Sequence, residues 1–300
     1  MRKHAYLIIA HNNFELLKKE LLLLDHERND IYIHIDKKAK EVDENVLVEK
    51  MSRANVYFIN RISVMWGGFS GAQCTINLLK AATSRQEYAY YHLLSGVDLP
   101  IKTQDEIHDF FDARQGSEFV SFDCPIPREQ DLKRVRRYYL FQEIYGRNRR
   151  HPVCMFFFAF DKISVKIQEL LKVDRFSKKR GIALQKGANW FSITHELAKL
   201  VVEQEKWIQK NFKYTRCCDE VFLQTVLNNS SLKSNLYQNG MTMETNACLR
   251  KIDWGRGKPY TWTNKEYDEL IQSKCLFARK FDPLVDEEII DRIVAYVHGK

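Results

Sequence analysis

The first hundred residues alternate between short apolar runs and stretches in which apolar residues recur every three or four positions. Apolar runs bounded by turn residues predict buried strands, and the wider spacing predicts amphipathic helices. The predicted strands are Ala5–Ala10, Ile31–Ile35, Val56–Ile59 and Tyr88–Leu94. The predicted helices are Phe14–Leu24, which Asn13 would cap, Val42–Met51 and Ser70–Ala82. This repeated β-α-β order predicts an α/β fold with a mostly parallel central sheet and helices on both faces.

The pattern is less regular from Gly116 to Gln185 and recovers after that. Two further strands are predicted at Glu118–Phe122 and Trp190–Ile193. The other segments are a charged helix or loop at Glu129–Tyr145, a strongly apolar run at Val153–Phe160 with an apolar core one strand long, a helix at Ile163–Leu171, a basic loop at Phe176–Gln185, a helix at Glu196–Trp207 capped by Thr194, a helix at Glu220–Leu227 capped by Asp219, and a final helix at Glu287–Val297. Irregular segments on a rigid scaffold usually carry recognition, so substrate-specific elements are expected in the middle of the chain.

A carboxylate follows the fourth predicted strand. The turn Ser95-Gly96 ends the strand, Asp98 comes next, and Pro100 prevents the ladder from continuing. Thr103 and Glu106 then have the spacing of a capping box, which opens a helix. Asp98 is therefore predicted in a short loop at the carboxyl edge of the sheet, where open α/β sheets bind their ligands. A purely structural role, bracing the turn, is the alternative.

Length and composition fit one continuous domain. The chain has 300 residues, of which 45% are hydrophobic, and no Pro-, Gly- or Ser-rich linker divides it. Residues 1–113 are expected to form a nucleotide-binding half, and residues 114–300 an acceptor and catalytic half. Seven cysteines without a CxxC pair, and a first apolar run too short for a secretory signal, predict reduced thiols and a cytoplasmic location.

The net charge of +8 is concentrated in the middle third, at Lys133–Arg150 and Lys178–Arg180. Such a basic surface suits an anionic partner, either a phosphorylated substrate or the anionic face of a membrane. Nucleic acid is not expected as a partner, because the chain has no recognisable nucleic-acid-binding motif. A solvated charged face is an equally simple explanation.

Eight segments in order resemble the core-2/I-branching β-1,6-N-acetylglucosaminyltransferases and the related peptide O-xylosyltransferases, in a bacterial-type form. The segments are HAYLIIAHN (His4–Asn12), DIYIHIDKK (Asp30–Lys38), VMWGGFS (Val64–Ser70), HLLSGVDLPIKT (His92–Thr103), KGANWFSITHELA (Lys186–Ala198), CDEVFLQTVL (Cys218–Leu227), LRKIDW (Leu249–Trp254) and CLFARKFD (Cys275–Asp282). The resemblance implies an inverting glycosyltransferase of GT-A-like fold. It also implies that no metal cofactor is needed, which agrees with the absence of any D-x-D sequence.

The resemblance also implies roles for individual residues. Asp36 falls where the family holds the uridine, and Asp98 falls beside the donor sugar. Glu220 falls at the catalytic base, and Arg250 and Lys280 resemble the basic pair that replaces a metal at the diphosphate. Arg256 and Arg279 are substitutes if Arg250 is not the correct arginine. Asp123 and Trp190 are expected on the acceptor side.

Elementary chemistry is consistent with these roles. Displacement at an anomeric carbon needs a base for the acceptor hydroxyl and positive charge for the departing diphosphate. At the first position of a helix, the positive end of the helix dipole would favour the ionised form of Glu220, and an arginine with a lysine supplies two positive charges. Without the resemblance, a glutamate in the first turn of a helix and two surface cations would indicate no particular function.

The expected function is transfer of a sugar, with N-acetylglucosamine as the first candidate, from a UDP-sugar to a glycan, polysaccharide or lipid-linked oligosaccharide. Transfer of xylose or another hexose is the alternative within the enzyme class. A catalytically idle protein that binds sugar nucleotides on the same scaffold is the alternative outside it. Peripheral contact with the inner membrane face is a further expectation.

Overall fold

A computed structural model describes residues 2–39, 42–124, 126–148, 150–176, 181–237 and 245–299. The strands are β1 His4–Ala10, β2 Asn29–Ile35, β3 Asn55–Phe58, β4 Tyr90–Ser95, β5 Asp98–Pro100, β6 Phe119–Val120, β7 Phe191–Ile193, β8 Arg250–Ile252 and β9 Phe277–Arg279. The helices are α1 Phe14–Leu23, α2 Glu44–Val48, α3 Phe69–Thr83, α4 Gln104–Asp112, α5 Glu129–Arg136, α6 Gln142–Tyr145, α7 Pro152–Leu170, α8 His195–Glu203, α9 Glu205–Phe212, α10 Phe222–Asn228, α11 Tyr267–Ile271 and α12 Glu287–His298.

The larger sheet has the strand order β3-β2-β1-β4-β7-β6. Strands β3, β2, β1 and β4 are parallel, whereas β7 is antiparallel to β4 and β6 is antiparallel to β7. Every residue of β2 is buried, as expected for a strand covered on both faces. The α/β class is confirmed, with the refinement that the sheet is mixed.

Helices cover both faces of this sheet. Alternate residues of β1 belong to two separate clusters of buried side chains: Leu7 packs with residues of α3 and α8, and Ile8 packs with residues of α1 and α4. The predicted helices α1 and α3 are confirmed to within two residues at each end. Asn13 does precede α1, but it has a left-handed backbone and its side chain makes no capping hydrogen bond.

A second sheet, with the strand order β5-β9-β8, was not predicted. Asp98 is not in a loop, because it begins β5 and pairs with Arg279 at the end of β9. Pro100 ends β5 opposite Phe277. Strands of three residues give no periodic signal, and these pair with a segment far away in sequence. The sheet packs through Leu99 and Ala278 against α1 and α12.

The middle of the chain corrects several predictions. The apolar run Val153–Phe160 and the segment Ile163–Leu171 form one continuous helix, α7, because a short apolar run does not distinguish a strand from a helix. The segment Glu129–Tyr145 contains two helices, α5 and α6, joined by a loop. Within the basic segments, Arg149 and Lys178–Arg180 lie outside the described residues.

Helix starts are predicted with mixed success. The capping box at Thr103 is confirmed, since Glu106 N donates to the Thr103 hydroxyl and Thr103 N donates to the Glu106 carboxylate. Thr194 caps α8 as expected, but the segment Glu196–Trp207 divides into α8 and α9 at Gln204. Asp219 does not cap a helix. Cys218–Glu220 is a 3₁₀ turn, and α10 starts after it.

Within the described residues, no helix has the length and apolar character needed to cross a membrane.

The carboxyl group of Glu118 predicts a measurable pH dependence of stability. Glu118 is buried and accepts hydrogen bonds from the backbone N (3.0 Å) and hydroxyl (2.5 Å) of Thr194. Burial raises the pKa of Glu118 from 4.5 to about 7. Its contribution to stability is therefore complete below the unfolded-state pKa and is lost as the pH rises through about 7, by up to about 1.4 kcal/mol per pH unit.

We expect Glu118→Gln to remove this loss. Urea unfolding at about pH 5 and about pH 8 should show that the wild type loses free energy of unfolding relative to Glu118→Gln as the pH rises. The exposed Glu203 of α8 provides the control Glu203→Gln, which should keep the wild-type pH slope. Equal slopes for the wild type and Glu118→Gln would contradict the prediction.

Candidate active site

Asp36 lies at the carboxyl edge of the large sheet, directly after β2. It is 6% exposed. One carboxylate oxygen accepts the backbone N–H of Lys38 at 2.8 Å and the other accepts that of Val64 at 3.4 Å. The Lys38 ammonium is 3.7 Å from the second oxygen. The segment after β2 and the loop before α3 thus fix Asp36 at the edge where a nucleotide is expected.

Asp98 lies on the same edge, where the chain passes from β4 into β5. Its carboxylate accepts hydrogen bonds from the backbone N (3.0 Å) and hydroxyl (2.9 Å) of Ser95. Burial raises the pKa of Asp98, and the nearby Arg279 guanidinium opposes that effect. The side chain is fully buried, so it acts on a ligand through its neighbours more than by direct contact.

Arg279 is the principal neighbour of Asp98. Its Nη1 lies 3.6 Å from Asp98 Oδ1, and its guanidinium carbon lies 4.0 Å from the centre of the Trp190 ring. Within the described residues, Nε and Nη1 of Arg279 are buried without a hydrogen-bond partner. Arg279 is therefore held by one ion pair and one aromatic face, and 14% of its side chain is exposed.

His11 connects this pair electrostatically with Asp36. Desolvation lowers the pKa of His11, Asp36 raises it, and Lys38 and Arg279 lower it further. These groups share one region at the ends of β1, β2 and β4. The edge therefore brings the carboxylates Asp36 and Asp98 together with the cations Lys38 and Arg279.

Arg250, predicted at the diphosphate, lies in the protein interior. Its guanidinium is fully buried and donates to the Ser192 hydroxyl at 2.8 Å. It also donates to the backbone carbonyls of Leu93, Phe191 and Cys248. These bonds direct it into the junction of the two sheets, so a diphosphate cannot reach it in this arrangement. Of the two substitutes, Arg279 is the arginine next to the site.

Lys280 follows Arg279 directly and is partly buried. Its backbone carbonyl accepts a hydrogen bond from Trp262 N at 3.0 Å, which fixes the main chain at the end of β9. The Lys280 ammonium has no ion-pair or hydrogen-bond partner in the part of the chain that the structure describes. Arg279 and Lys280 are thus two consecutive cations after β9, and the predicted role of Lys280 remains a prediction.

Glu220 lies in the wall of a cavity of about 470 Å³. Its carboxylate is 2.7 Å from Arg134 of α5 and 3.9 Å from Lys186. The prediction that it starts an α-helix is wrong, because it is the last residue of the 3₁₀ turn before α10. Cationic side chains, rather than a helix dipole, therefore hold the carboxylate at the cavity.

The two acceptor-side candidates line this same cavity. Trp190 and Asp123 lie in the wall with Glu220, together with Trp254 and Lys186. Asp123 forms an ion pair with Lys186. Because Trp190 also stacks on Arg279, one indole connects the cavity with the Asp98–Arg279 pair.

Gly187 allows the cavity wall to close. A Cβ atom at this position would collide with the backbone carbonyl of Ser121. The backbone N of Gly187 donates to the Glu220 carbonyl at 3.0 Å. A glycine is therefore required for the segment before β7 to run directly beside the Glu220 turn.

Within the described residues, one group of three side chains that could ligate a metal ion lies close together. His26, Asp105 and His108 place their ligand atoms within 4.8 Å of one another. His26 precedes β2 and His108 hydrogen-bonds Asn29 at the start of β2, whereas Asp36 follows the end of that strand. This group therefore lies at the opposite edge of the sheet from the candidate active site.

Sequence reasoning missed the buried Glu20 of α1. Within the described residues, neither of its carboxyl oxygens has a hydrogen-bond partner, and it is fully buried. Burial raises the pKa of Glu20 strongly, Asp98 adds to the effect and Arg279 opposes it. Its only sequence signal is a glutamate on the apolar face of an amphipathic helix.

Comparison with known proteins points to one family. The sequence pattern described as Core-2/I-Branching enzyme matches residues 4–274. Xylosyltransferase 2 and xylosyltransferase 1 of Rattus norvegicus are each 23% identical over 98% of this chain, and xylosyltransferase 2 of Homo sapiens gives the same identity and coverage. The chain spans about a third of the length of these relatives, 34% for rat xylosyltransferase 2. Mouse xyloside xylosyltransferase 1 aligns with 93% of the chain at 9% identity and a TM-score of 0.39, a likeness too distant to characterise the site.

The positions of Arg250 and Lys280 predict that mutation of Arg250 lowers stability, whereas mutation of Lys280 weakens ligand binding. Arg250→Met should lower the free energy of unfolding by about 3 kcal/mol or more, because it leaves buried carbonyls without donors. Lys280→Ala should change stability by less than about 0.5 kcal/mol but weaken UDP binding. Urea unfolding and titration with UDP measure the two effects. A stable Arg250→Met variant that specifically loses UDP binding would return Arg250 to the diphosphate site.

Proposed function

The chain belongs to the Core-2/I-branching enzyme family, and on that basis we propose that it transfers a sugar from a UDP-sugar to a hydroxyl of a glycan or polysaccharide acceptor. The observation that carries the proposal is the continuity from Glu220, across the cavity wall to Trp190, to the Asp98–Arg279 pair. Such an arrangement puts a carboxylate base beside a cationic edge. Both are needed for displacement of a nucleoside diphosphate.

In the proposed mechanism, each of these residues has one role. Asp36 accepts hydrogen bonds from the uridine, and Arg279 and Lys280 neutralise the diphosphate, while Asp98 holds Arg279. Glu220 removes the proton of the acceptor hydroxyl as the oxygen attacks the anomeric carbon. The bond from that carbon to the diphosphate oxygen breaks, UDP leaves and the configuration inverts. Trp190 and Asp123 bind the acceptor sugar in the cavity.

N-acetylglucosamine is the proposed sugar, following the branching enzymes. Xylose is a second candidate, and the observation that favours it is the similarity to proteins named xylosyltransferases. A donor panel of UDP-N-acetylglucosamine, UDP-xylose, UDP-galactose and UDP-glucose, scored by thermal stabilisation and by UDP release, separates these candidates. A protein that binds a donor without turnover would instead be a catalytically idle member.

Loss of the proposed base tests the mechanism. Glu220→Gln keeps the shape of the side chain but removes its ability to accept a proton, so turnover should fall by about 10²- to 10⁴-fold. UDP affinity should stay close to that of the wild type, because the base does not contact the nucleotide. Glu203→Gln, an exposed change on α8, is the control and should keep full turnover. Undiminished turnover in Glu220→Gln would exclude the role.

Catalysis is proposed to require no divalent metal, since Arg279 and Lys280 supply positive charge at the diphosphate. UDP release should therefore continue in excess EDTA at the untreated rate. Arg279→Ala and Lys280→Ala should each weaken UDP binding and slow turnover, because their charge meets the diphosphate in both ground and transition states. Activity abolished by EDTA and restored by manganese would contradict metal independence.

A further inference from the structure

Helix α7 presents an apolar stripe to solvent. The stripe follows the three-to-four spacing of one helix face and consists of Val153, Phe156, Phe160, Ile163, Ile167 and Leu170. Phe156 is 64% exposed, Ile163 is 59% exposed and Leu170 is 83% exposed. An apolar face of this length on a surface helix indicates a surface that another body covers.

The opposite face of α7 fixes its orientation. Asp161, the one buried residue of the helix, accepts the backbone N–H of Leu140 (3.0 Å) and of Phe141 (3.2 Å) and the Tyr145 hydroxyl (3.0 Å). The Phe157 ring packs on Phe141 at a centroid distance of 4.8 Å. These contacts hold the inner face of α7 against the protein. The packing of the helix therefore directs the apolar stripe outward.

Positive charge borders the stripe. Lys162 and Lys166 are exposed along one side of it, and Arg150 and Lys172 are exposed beyond its two ends. The two carboxylates of α7 do not offset these charges, since Asp161 is buried and Glu169 pairs with Lys133.

A cavity beside the helix adds to this charge. It has a volume of about 740 Å³, and its wall contains Arg216, Lys162 and Lys166 besides the Lys133–Glu169 ion pair and the carboxyl group of Asp161. The region therefore combines an apolar stripe with a cationic border and a cationic recess.

We propose that α7 docks the protein on the surface of an anionic phospholipid bilayer. The helix lies in the plane of the interface, with the stripe among the upper acyl chains and its lysines and arginines at the lipid phosphates. A second copy of the chain fits less well, because it would bring an identical set of cations against Lys162 and Lys166. Anionic lipid neutralises that charge.

Ion pairs and hydrogen bonds connect the proposed docking surface with the proposed active site. Lys133 and Arg134 are adjacent in α5: Lys133 pairs with Glu169 of α7, and Arg134 pairs with Glu220. Helix α6, on which α7 packs, is tied to the segment before α3 through Gln142, which donates to the Trp66 carbonyl at 2.9 Å. A membrane-bound acceptor would therefore meet the protein within one helix of the proposed base.

Co-sedimentation of the full chain with vesicles tests the proposal. Vesicles of phosphatidylcholine with phosphatidylglycerol should bind the protein, and vesicles of phosphatidylcholine alone should bind it at least about tenfold more weakly. The double variant Phe156→Glu with Ile163→Glu should lose binding to the anionic vesicles. Leu284→Glu, a change of the same kind at a side chain 91% exposed elsewhere, should bind like the wild type.

Charge reversal provides a second arm. Lys162→Glu with Lys166→Glu should weaken binding to anionic vesicles by on the order of tenfold or more. The matched control is Lys206→Glu with Lys210→Glu, an exposed pair with the same four-residue spacing on α9, which should retain more binding. Circular dichroism and thermal unfolding of each variant separate a lost surface from a lost fold.

Three results would overturn the proposal. The first is equal or negligible binding to both kinds of vesicle. The second is equal loss of binding in the α7 variants and their matched controls, because non-specific charge would then explain it. The third is dimerisation of the wild type in sedimentation velocity that Phe156→Glu with Ile163→Glu abolishes, since a second copy would then cover the stripe.

Discussion

One buried guanidinium joins the two sheets, and the candidate site depends on that junction. Arg250, on β8 of the small sheet, donates to the carbonyls of Leu93 on β4 and Phe191 on β7, and to the hydroxyl of Ser192. These bonds satisfy the two terminal nitrogens of the guanidinium, whereas its Nε is buried without a hydrogen-bond partner within the described residues. The sheets cannot shift relative to each other without breaking several of these charge-assisted bonds. Because β8 is paired with β9, this fixes the end of β9 next to the carboxyl edge of the large sheet.

Two buried acids lie near the Arg279 guanidinium at the end of β9. Arg279 has one close carboxylate, Asp98, and a second buried acid, Glu20, within electrostatic reach. Burial raises the pKa of both acids, that of Glu20 well above its usual value, and the Arg279 guanidinium opposes the effect at each of them. Within the described residues, Nε and Nη1 of Arg279 are buried without a hydrogen-bond partner, and 14% of the side chain is exposed. The ion pair with Asp98 and the Trp190 ring therefore hold the guanidinium, but protein groups do not satisfy all of its donors.

The sequence predicts the carboxyl edge of the large sheet well, because the strands that build it carry local signals. Asp36 is found at that edge directly after a predicted strand, and so is Asp98, one short turn after β4. The choice between Arg250 and Arg279 could not be made in the same way. It depends on the register in which Ile252 faces Arg279 across two three-residue strands, a pairing without periodicity or a turn signal. The sequence also failed to predict that α7 is one continuous helix, since an apolar run with no polar interruption fits both a strand and a helix.

Helix α5 connects the proposed docking helix α7 with the proposed base Glu220. Its consecutive residues Lys133 and Arg134 point to different partners, the first to Glu169 on α7 and the second to Glu220 in the cavity wall. A displacement of α7 would therefore act on the same helix that holds the Glu220 carboxylate. Because Arg134 is only partly buried, its ion pair with Glu220 is solvent-accessible and can exchange without disrupting the core. A contact made by α7 could therefore shift the position of the Glu220 carboxylate. The end of β9 would stay in place, because Arg250 holds the two sheets together.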